Sequence, residues 1–296
     1  MKTFYIIAAA LIFNGCTAKM TKPLPQNKDN NTLLWEIRGN SLKKPSYLFG
    51  TFHLLCKEDI RFSGNLLQGL NNAEEVYFEM DLDDPANTLG AMFFLNMKEG
   101  KTLKALYAAE DYERLRSFFS DSLKMNLGLF GKMKPMLLEA LLYPRMMPCK
   151  NPSGVEMELM GIAKKAKKEI KGFESIEFQS SVFDSIPYEV QAKALLKDID
   201  STERSRLLFN KMVSIYKDQQ TDQLSQLMND SSFNEGMNND VMLTNRNKNW
   251  VKQLGPILKE KSVFIGVGAA HLLGKDGLIS LLRNTGYTVK PVENVK

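Results

Sequence analysis

The sequence predicts an α/β fold in which two similar strand–G-x-x-H–helix–strand units form a mixed β-sheet around a central crevice, with a large helical insert. Three observations lead there. Strand-like apolar runs alternate with helical stretches at both ends of the chain. The intervening block, about 85–260, carries mainly helical periodicity. A nine-residue pattern, G-x-x-H-L-L-x-K-[DE], occurs twice, at Gly50–Glu58 and at Gly268–Asp276, each time after a strand-like run.

The composition bounds the possibilities. With 296 residues, 44% hydrophobic and 25% charged, the chain is globular, so disordered, collagenous and disulfide-framework classes drop out. It holds two His and three Cys, which excludes a three-histidine metal site and a multi-finger zinc protein. The charge of +5 is small and interspersed, which is no footprint for nucleic acid. The one dense basic run, Lys164, Lys165, Lys167 and Lys168, follows the apolar positions Leu159, Met160 and Ile162 and is expected to be a solvated helix face.

Taken in order, residues 1–15 form a signal peptide: Lys2, the apolar run Phe4 to Phe13, then Asn14 and Gly15. That run is far short of the ~20 residues a spanning helix requires. Gly15–Cys16 resembles the lipobox of bacterial lipoproteins, which implies a lipid on Cys16. Residues 16–32 are polar and rich in Pro and Asn, as expected of a tether. The expected location is the bacterial cell envelope, lipid-anchored, on the periplasmic or surface face of the outer membrane. Residues 33–296 make a single body. If it is exported, Cys56 and Cys149 can pair, although sequence alone does not show whether they meet.

Within the body, strands are predicted at Leu33–Arg38, Ser46–Phe49, Glu75–Met80, just ahead of Gly172, at Ser262–Val267 and at Tyr287–Val292. Helices are predicted at about Ile60–Asn72, through most of 85–144 and 187–260 with a polar break at Asn229–Asn239, and at about Asp276–Asn284. The loop Pro148–Gly154 opens one further helix, and the stretch from Gly172 to Glu177 leads into another.

The repeated turns carry the chemistry. Both histidines of the chain, His53 and His271, occupy the same slot of the repeat. The glycine before each is expected to supply backbone freedom for a sharp turn at a strand end, the edge where open α/β sheets place ligands. A single histidine would more readily be a hydrogen-bonded core residue; two in one repeated motif point to a shared site. Two neutral imidazoles and a carboxylate suit a divalent transition metal that keeps a position open for water. Glu79 is the leading carboxylate, because its strand directly follows the first unit and is expected beside it. Glu174 and then Glu177 come next. Arg246 and Asn247 could orient a carbonyl or carboxylate. Cys56, three residues after His53, could instead serve as a nucleophile, although the second copy has Gly274 in that place.

Taken together, Gly50–Thr51–Phe52–His53, the strand ending in Glu79, Gly172–Phe173–Glu174–Ser175–Ile176–Glu177–Phe178–Gln179, Arg246–Asn247 and Gly266–Val267–Gly268–Ala269–Ala270–His271–Leu272 resemble the TraB/GumN family. The resemblance runs from about Leu33 to Val292. It implies kinship with the Tiki metalloproteases and an α/β fold shared with erythromycin-esterase-like and ChaN-like proteins. It also implies a metal site of His53, Glu79 and His271 that takes Mn or Co. The sequence departs from the family at Glu156, where Asp is usual, and at Phe178, where a polar residue is usual.

Two functions follow as expectations. The first is a metal-dependent hydrolase acting on a peptide or protein, with a divalent ion (Mn, Co or Zn) on His53, His271 and Glu79, and Glu174 or Glu79 taking a proton from water. The second is a non-catalytic lipoprotein binding haem or a small ligand in the same crevice.

Overall fold

In a computed structural model of the chain, the described residues are 31–81, 94–229 and 239–295. The expected signal peptide, Cys16, nearly all of the tether, the first part of the helical block and most of the polar break therefore lie outside the described residues. The elements run β1 (Leu34–Gly39), β2 (Ser46–Thr51), β3 (Leu55–Cys56), α1 (Gly64–Asn72), β4 (Glu75–Met80), α2 (Leu103–Leu106), α3 (Ala109–Asp121), α4 (Pro135–Glu139), α5 (Tyr143–Met146), β5 (Pro152–Ser153), α6 (Val155–Lys165) and β6 (Glu169–Glu174). They continue with α7 (Ile176–Asp184), α8 (Tyr188–Asp200), α9 (Thr202–Lys217), α10 (Thr221–Asn229), α11 (Asn245–Glu260), β7 (Val263–Gly268), α12 (Leu278–Asn284) and β8 (Tyr287–Pro291).

Local chemistry sets several boundaries. Ser63 Oγ accepts from Leu66 N at 3.1 Å and starts α1; Ser175 Oγ accepts from Phe178 N at 3.1 Å and starts α7. The basic run after Leu159 is largely exposed at the end of α6, and Lys168 Nζ donates to the carbonyls of Asn71 and Ala73 that close α1.

The main sheet has six strands in the order β6-β4-β7-β2-β1-β8. The four strands β6, β4, β7 and β2 run parallel, while β1 is antiparallel to both β2 and β8. The chain thus has the mixed α/β architecture expected. One expectation about neighbours fails: β4 does not lie beside β2. The crossover through α1 skips one position, and β7, arriving almost two hundred residues later, fills it and pairs with both.

Side-chain alternation distributes the sheet over two cores. Leu34, Tyr47, Phe49, Val76, Phe78 and Phe264 face α1, α6, α9 and α10. Trp35, Leu48, Tyr77, Val263, Ile265 and Val267 face α11 and α12. Both faces of the central strands are covered, which is why they read in sequence as continuous apolar runs. The helical block builds a third core around Leu115, Phe119, Leu138, Leu142 and Leu195. Cys56 belongs to it and is bonded to Cys149, with Cα atoms 5.7 Å apart, so Cys56 offers no free thiol as a nucleophile.

Candidate functional site at the carboxyl ends of the parallel strands

Parallel strands share one carboxyl edge, and here four of them deliver side chains to it. Glu79 is the last residue but one of β4 and Glu174 ends β6; His271 follows β7 and His53 follows β2. The register pairs Met80 with Glu174 and Thr51 with Gly268, which keeps the four ends level.

The two motif glycines are needed for space. Neither has a positive φ. A Cβ on Gly50 would stand 3.1 Å from Ala269 Cα and Leu272 Cδ2. One on Gly268 would stand 3.2 Å from Glu79 Oε1, 3.7 Å from His271 Cδ2 and 3.9 Å from His53 Nε2. Gly268 therefore marks the point on which both histidines and Glu79 converge, and a side chain there would press on Glu79. This replaces the expectation of a turn that demands glycine dihedrals.

The two turns differ in conformation. After β7 the chain enters a short 3-10 turn, Ala269–Leu272, and His271 is buried. After β2 it is drawn away into β3, which pairs with β5, and His53 is exposed.

Helix α11 contributes Arg246, Asn247 and Trp250 from one face. Asn247 Nδ2 donates to Asp276 O at 2.9 Å, which turns Oδ1 toward His271 Nδ1 at 2.6 Å. His271 Nδ1 is then the donor, and the lone pair of the neutral ring sits on Nε2. Arg246 Nη1 lies 3.2 Å from that Nε2. Arg246 Nη2 donates to Glu79 Oε2 at 2.7 Å and to Glu174 Oε2 at 2.8 Å, while Nε donates to Glu174 Oε1 at 3.0 Å. Trp250 Nε1 donates to Glu174 Oε1 at 2.8 Å, and its ring packs on His271 with centroids 4.4 Å apart. Glu79 also accepts from Gly268 N at 2.8 Å and from Gln179 Nε2 at 3.2 Å.

These contacts set the charges. Burial works against ionised Glu79, but His271, Arg246, His53 and the Gly268 amide outweigh it and hold the carboxyl near pKa 2. Burial pushes His271 down to about 4 despite Glu79. Desolvation also works against a charge on His53, yet the Glu156 carboxylate on its Nδ1 raises it to about 9. For Arg246, the lowering effect of burial is overcome by Glu174 and Glu79.

A cavity of about 170 Å³ opens at this edge, lined by His53, Glu79, Glu156, Gln179 and an apolar wall that includes Met80, Met157 and Met160. His271 Nε2 and Glu79 Oε1 are 3.8 Å apart, close enough that both could serve one divalent ion. Among the described residues, no three of His53, Glu79, Glu156, Glu174 and His271 place donor atoms within 4.8 Å of one another. His271 Nε2 and Glu79 Oε1 thus form the close pair, and His53 Nε2 stands farther out around the same Gly268. Glu156 Oε2 is buried with no hydrogen-bond partner, as suits a carboxylate beside a cation. The residue set fits a divalent metal.

Of the residues singled out in the sequence, the structure gathers His53, Glu79, Glu174, Arg246, Asn247 and His271 at this edge. Glu177 is exposed on α7 and takes no part in the cluster. Sequence reasoning assigned no role to Gln179 or Trp250, and noted Glu156 only as a departure from a family pattern. A signal for Trp250 existed: it follows Arg246 by four residues, one helical turn, and is one of only two Trp in the chain.

Comparisons with known proteins bear on this arrangement. The chain is 21% identical to metalloprotease TIKI2 of Danio rerio, over 97% of this chain and 66% of that protein. It is 22% identical to metalloprotease TIKI1 of the same species, over 90% of this chain and 64% of that protein. A shorter stretch, 31% of this chain, is 32% identical to metalloprotease TIKI2 of Xenopus tropicalis. The chain thus spans somewhat less than two thirds of the two relatives it matches along most of its length. No solved structure matches. The model of the TraB/PrgY/gumN family matches residues 33–291, nearly the whole of the described body with all six gathered residues, and the chain belongs to that family.

Proposed function

We propose that this protein is a metal-dependent hydrolase whose substrates are peptides or proteins. One observation carries the reading: the only two histidines of the chain and Glu79 converge on Gly268 at the carboxyl edge of four parallel strands. The similarity to metalloproteases supports the reaction class.

His53, His271 and Glu79 would hold the ion, which when bound supplies a Lewis acid and a water that deprotonates near neutral pH. Asn247 keeps the proton on His271 Nδ1 and leaves Nε2 as a donor, and Trp250 fixes the ring plane. Glu174, with both oxygens bonded to Arg246 and one also to Trp250, acts as an anchor; its expected role in accepting a proton gives way to that of holding Arg246. Arg246 keeps Glu79 ionised and aimed at the crevice. The alternative, a haem-binding crevice, is disfavoured because the cavity of about 170 Å³ is smaller than the ~300–1,000 Å³ of typical cofactor pockets.

The proposal includes export and a lipid on Cys16. The Cys56–Cys149 bond supports export, since such bonds persist in oxidising compartments. Metal analysis of the purified chain tests the function. Wild type is expected to carry one equivalent of Mn, Co or Zn, and both His53→Ala and His271→Ala to lose it. Full retention of metal by either variant would refute the shared site.

A further inference from the structure

We propose that Glu156 is the positioning residue of His53: its carboxylate holds the proton on Nδ1 and presents Nε2 to the cavity, and the Cys56–Cys149 disulfide clamps together the two chain segments that make this contact. The effect on metal affinity rests on the hydrolase reading; the effect on the ring itself does not.

Four observations lead to it. His53 sits on a turn with 75% of its side chain exposed, so the body of the protein does not pack it into one orientation. The Glu156 side chain is only 13% exposed, and its Oε1 contacts His53 Nδ1. Glu156 lies in the first turn of α6, and both of its carboxylate oxygens are buried without a geometrically formed hydrogen bond, the contact of Oε1 with His53 Nδ1 being an ion pair. A buried carboxylate whose one close polar neighbour is an imidazole is costly unless the site uses it.

The third observation concerns how the two residues are brought together. The His53 turn and the start of α6 are bonded along their length: Val155 N donates to Phe52 O at 3.0 Å, and Lys57 N donates to Asn151 O at 3.1 Å. Leu55 pairs with Ser153 and Cys56 with Pro152 in the short β3–β5 ladder. The disulfide closes the outer end of this clamp three residues beyond His53. Gly154 lets the strands close, because a Cβ there would stand 3.0 Å from His53 O and 3.3 Å from Glu156 Oε2. A disulfide and a ladder only two residues long are more restraint than a surface turn ordinarily carries.

The fourth observation is the other histidine. His271 meets an oxygen acceptor on Nδ1, Asn247 Oδ1 at 2.6 Å. His53 meets one on Nδ1 from Glu156. The acceptors come from unrelated helices and differ chemically, yet both address the same ring nitrogen. In both rings this leaves Nε2 for the crevice, where His53 Nε2 lies near Gly268 and His271 Nε2 near Glu79. A carboxylate or amide oxygen behind a ligating imidazole fixes its tautomer and orientation.

The test uses the full chain labelled with 15N. With two histidines, the long-range imidazole spectrum contains two ring systems, assigned by the loss of one in His53→Ala. At alkaline pH, where the rings are neutral, wild-type His53 is expected to carry its proton on Nδ1. Glu156→Ala should shift His53 toward the Nε2-protonated tautomer and leave His271 unchanged. Glu156→Gln, which keeps an oxygen acceptor as Asn247 does for His271, should largely restore it. Lys165→Ala, at an exposed position in the last turn of the same helix, serves as the control for folding and should match wild type. Titration with Co should then show roughly 10–100-fold weaker binding in Glu156→Ala, with Glu156→Gln in between. A His53 tautomer identical in wild type and Glu156→Ala overturns the proposal. Failure of wild type to bind Co, Mn or Zn overturns the hydrolase reading instead, and the ring spectra still decide the role of Glu156.

Discussion

Breaking the Cys56–Cys149 bond should separate the stability of the body from the order of the site. The bond joins residues 93 positions apart. For a loop of that size the chain-entropy relation gives about 4.6 kcal/mol of stabilisation at 25 °C, and measured native disulfides span roughly 2–5 kcal/mol. At roughly 2–4 °C per kcal/mol for a domain of this length, that range predicts a fall in Tm of about 4–20 °C. Both cysteines lie beside the third core, Cys56 within it and Cys149 packed against it, so replacement by serine also places a polar group there. The cleaner perturbation is therefore reduction of the wild type, with Cys56→Ala/Cys149→Ala as its partner. Thermal unfolding with and without reductant measures the first quantity, and the imidazole spectrum of His53 measures the second. The sheet contacts of β2 with β1 and β7 do not involve the clamp, so His271 should keep its environment while His53 loses the pairing with Glu156 well below Tm. A reduced protein whose Tm falls by less than about 2 °C, or whose His53 signal stays as in the oxidised form, would refute this reasoning.

Two further predictions concern buried charge. Arg246→Met leaves Glu79 and Glu174 facing one another without their shared cation; breaking a buried pair in this way costs about 3–5 kcal/mol, read as a lower midpoint in urea. Arg246→Lys should recover only part, since an ammonium cannot bond both carboxylates through a planar fork; a loss below 1 kcal/mol in the Met variant would be inconsistent with the clamp. In the helical block, burial and the neighbouring Asp198 raise Glu139 from 4.5 to about 7, against the Tyr143 hydroxyl bonded to it. The folded state then holds a proton the unfolded chain releases, so this contribution is complete below pH 4.5 and is lost as pH rises through about 7, on the order of 1–3 kcal/mol. Urea midpoints from acid to neutral pH should decline for wild type and less steeply for Glu139→Gln; parallel slopes would remove Glu139 as the cause.

Much of the fold was legible because local pattern and burial agree. Ser46–Phe49, Glu75–Met80 and Ser262–Val267 are apolar and flanked by turn residues, and they became β2, β4 and β7. The order of those strands was not legible, because the insertion of β7 between β2 and β4 is decided by long-range packing. Glu79 was reached by assuming it neighboured the first motif, and it stands instead beside the strand of the second. His53, His271 and Glu174 were legible from the repeat and from strand ends. Glu156 was not, since its partner is about a hundred residues away and the pairing depends on a clamp that appears only once Cys56 meets Cys149. The motif glycines were found for the wrong reason: close approach to Ala269 and to Glu79, rather than dihedral freedom, disfavours a side chain.

The charge count of the crevice bears on what it was built to hold. Glu79, Glu156 and Glu174 bring three carboxylates to a largely buried edge, and Arg246 brings one guanidinium, which pairs with Glu79 and Glu174 among these three. With both imidazoles neutral, as ligands must be, two negative charges are left unbalanced. Buried charges are ordinarily paired or bound to a metal. A monovalent ion would leave one charge uncompensated, whereas a divalent ion next to His271 Nε2 and Glu79 would balance the site without a further side chain. Arg246 Nη1 lies 3.2 Å from His271 Nε2, while Nε and Nη2 bond Glu174; were His271 to serve as a ligand under the proposed reading, those two bonds would still hold the guanidinium. Trp250 and Arg246 together bond both oxygens of Glu174, so this buried glutamate is built as the anchor of the guanidinium.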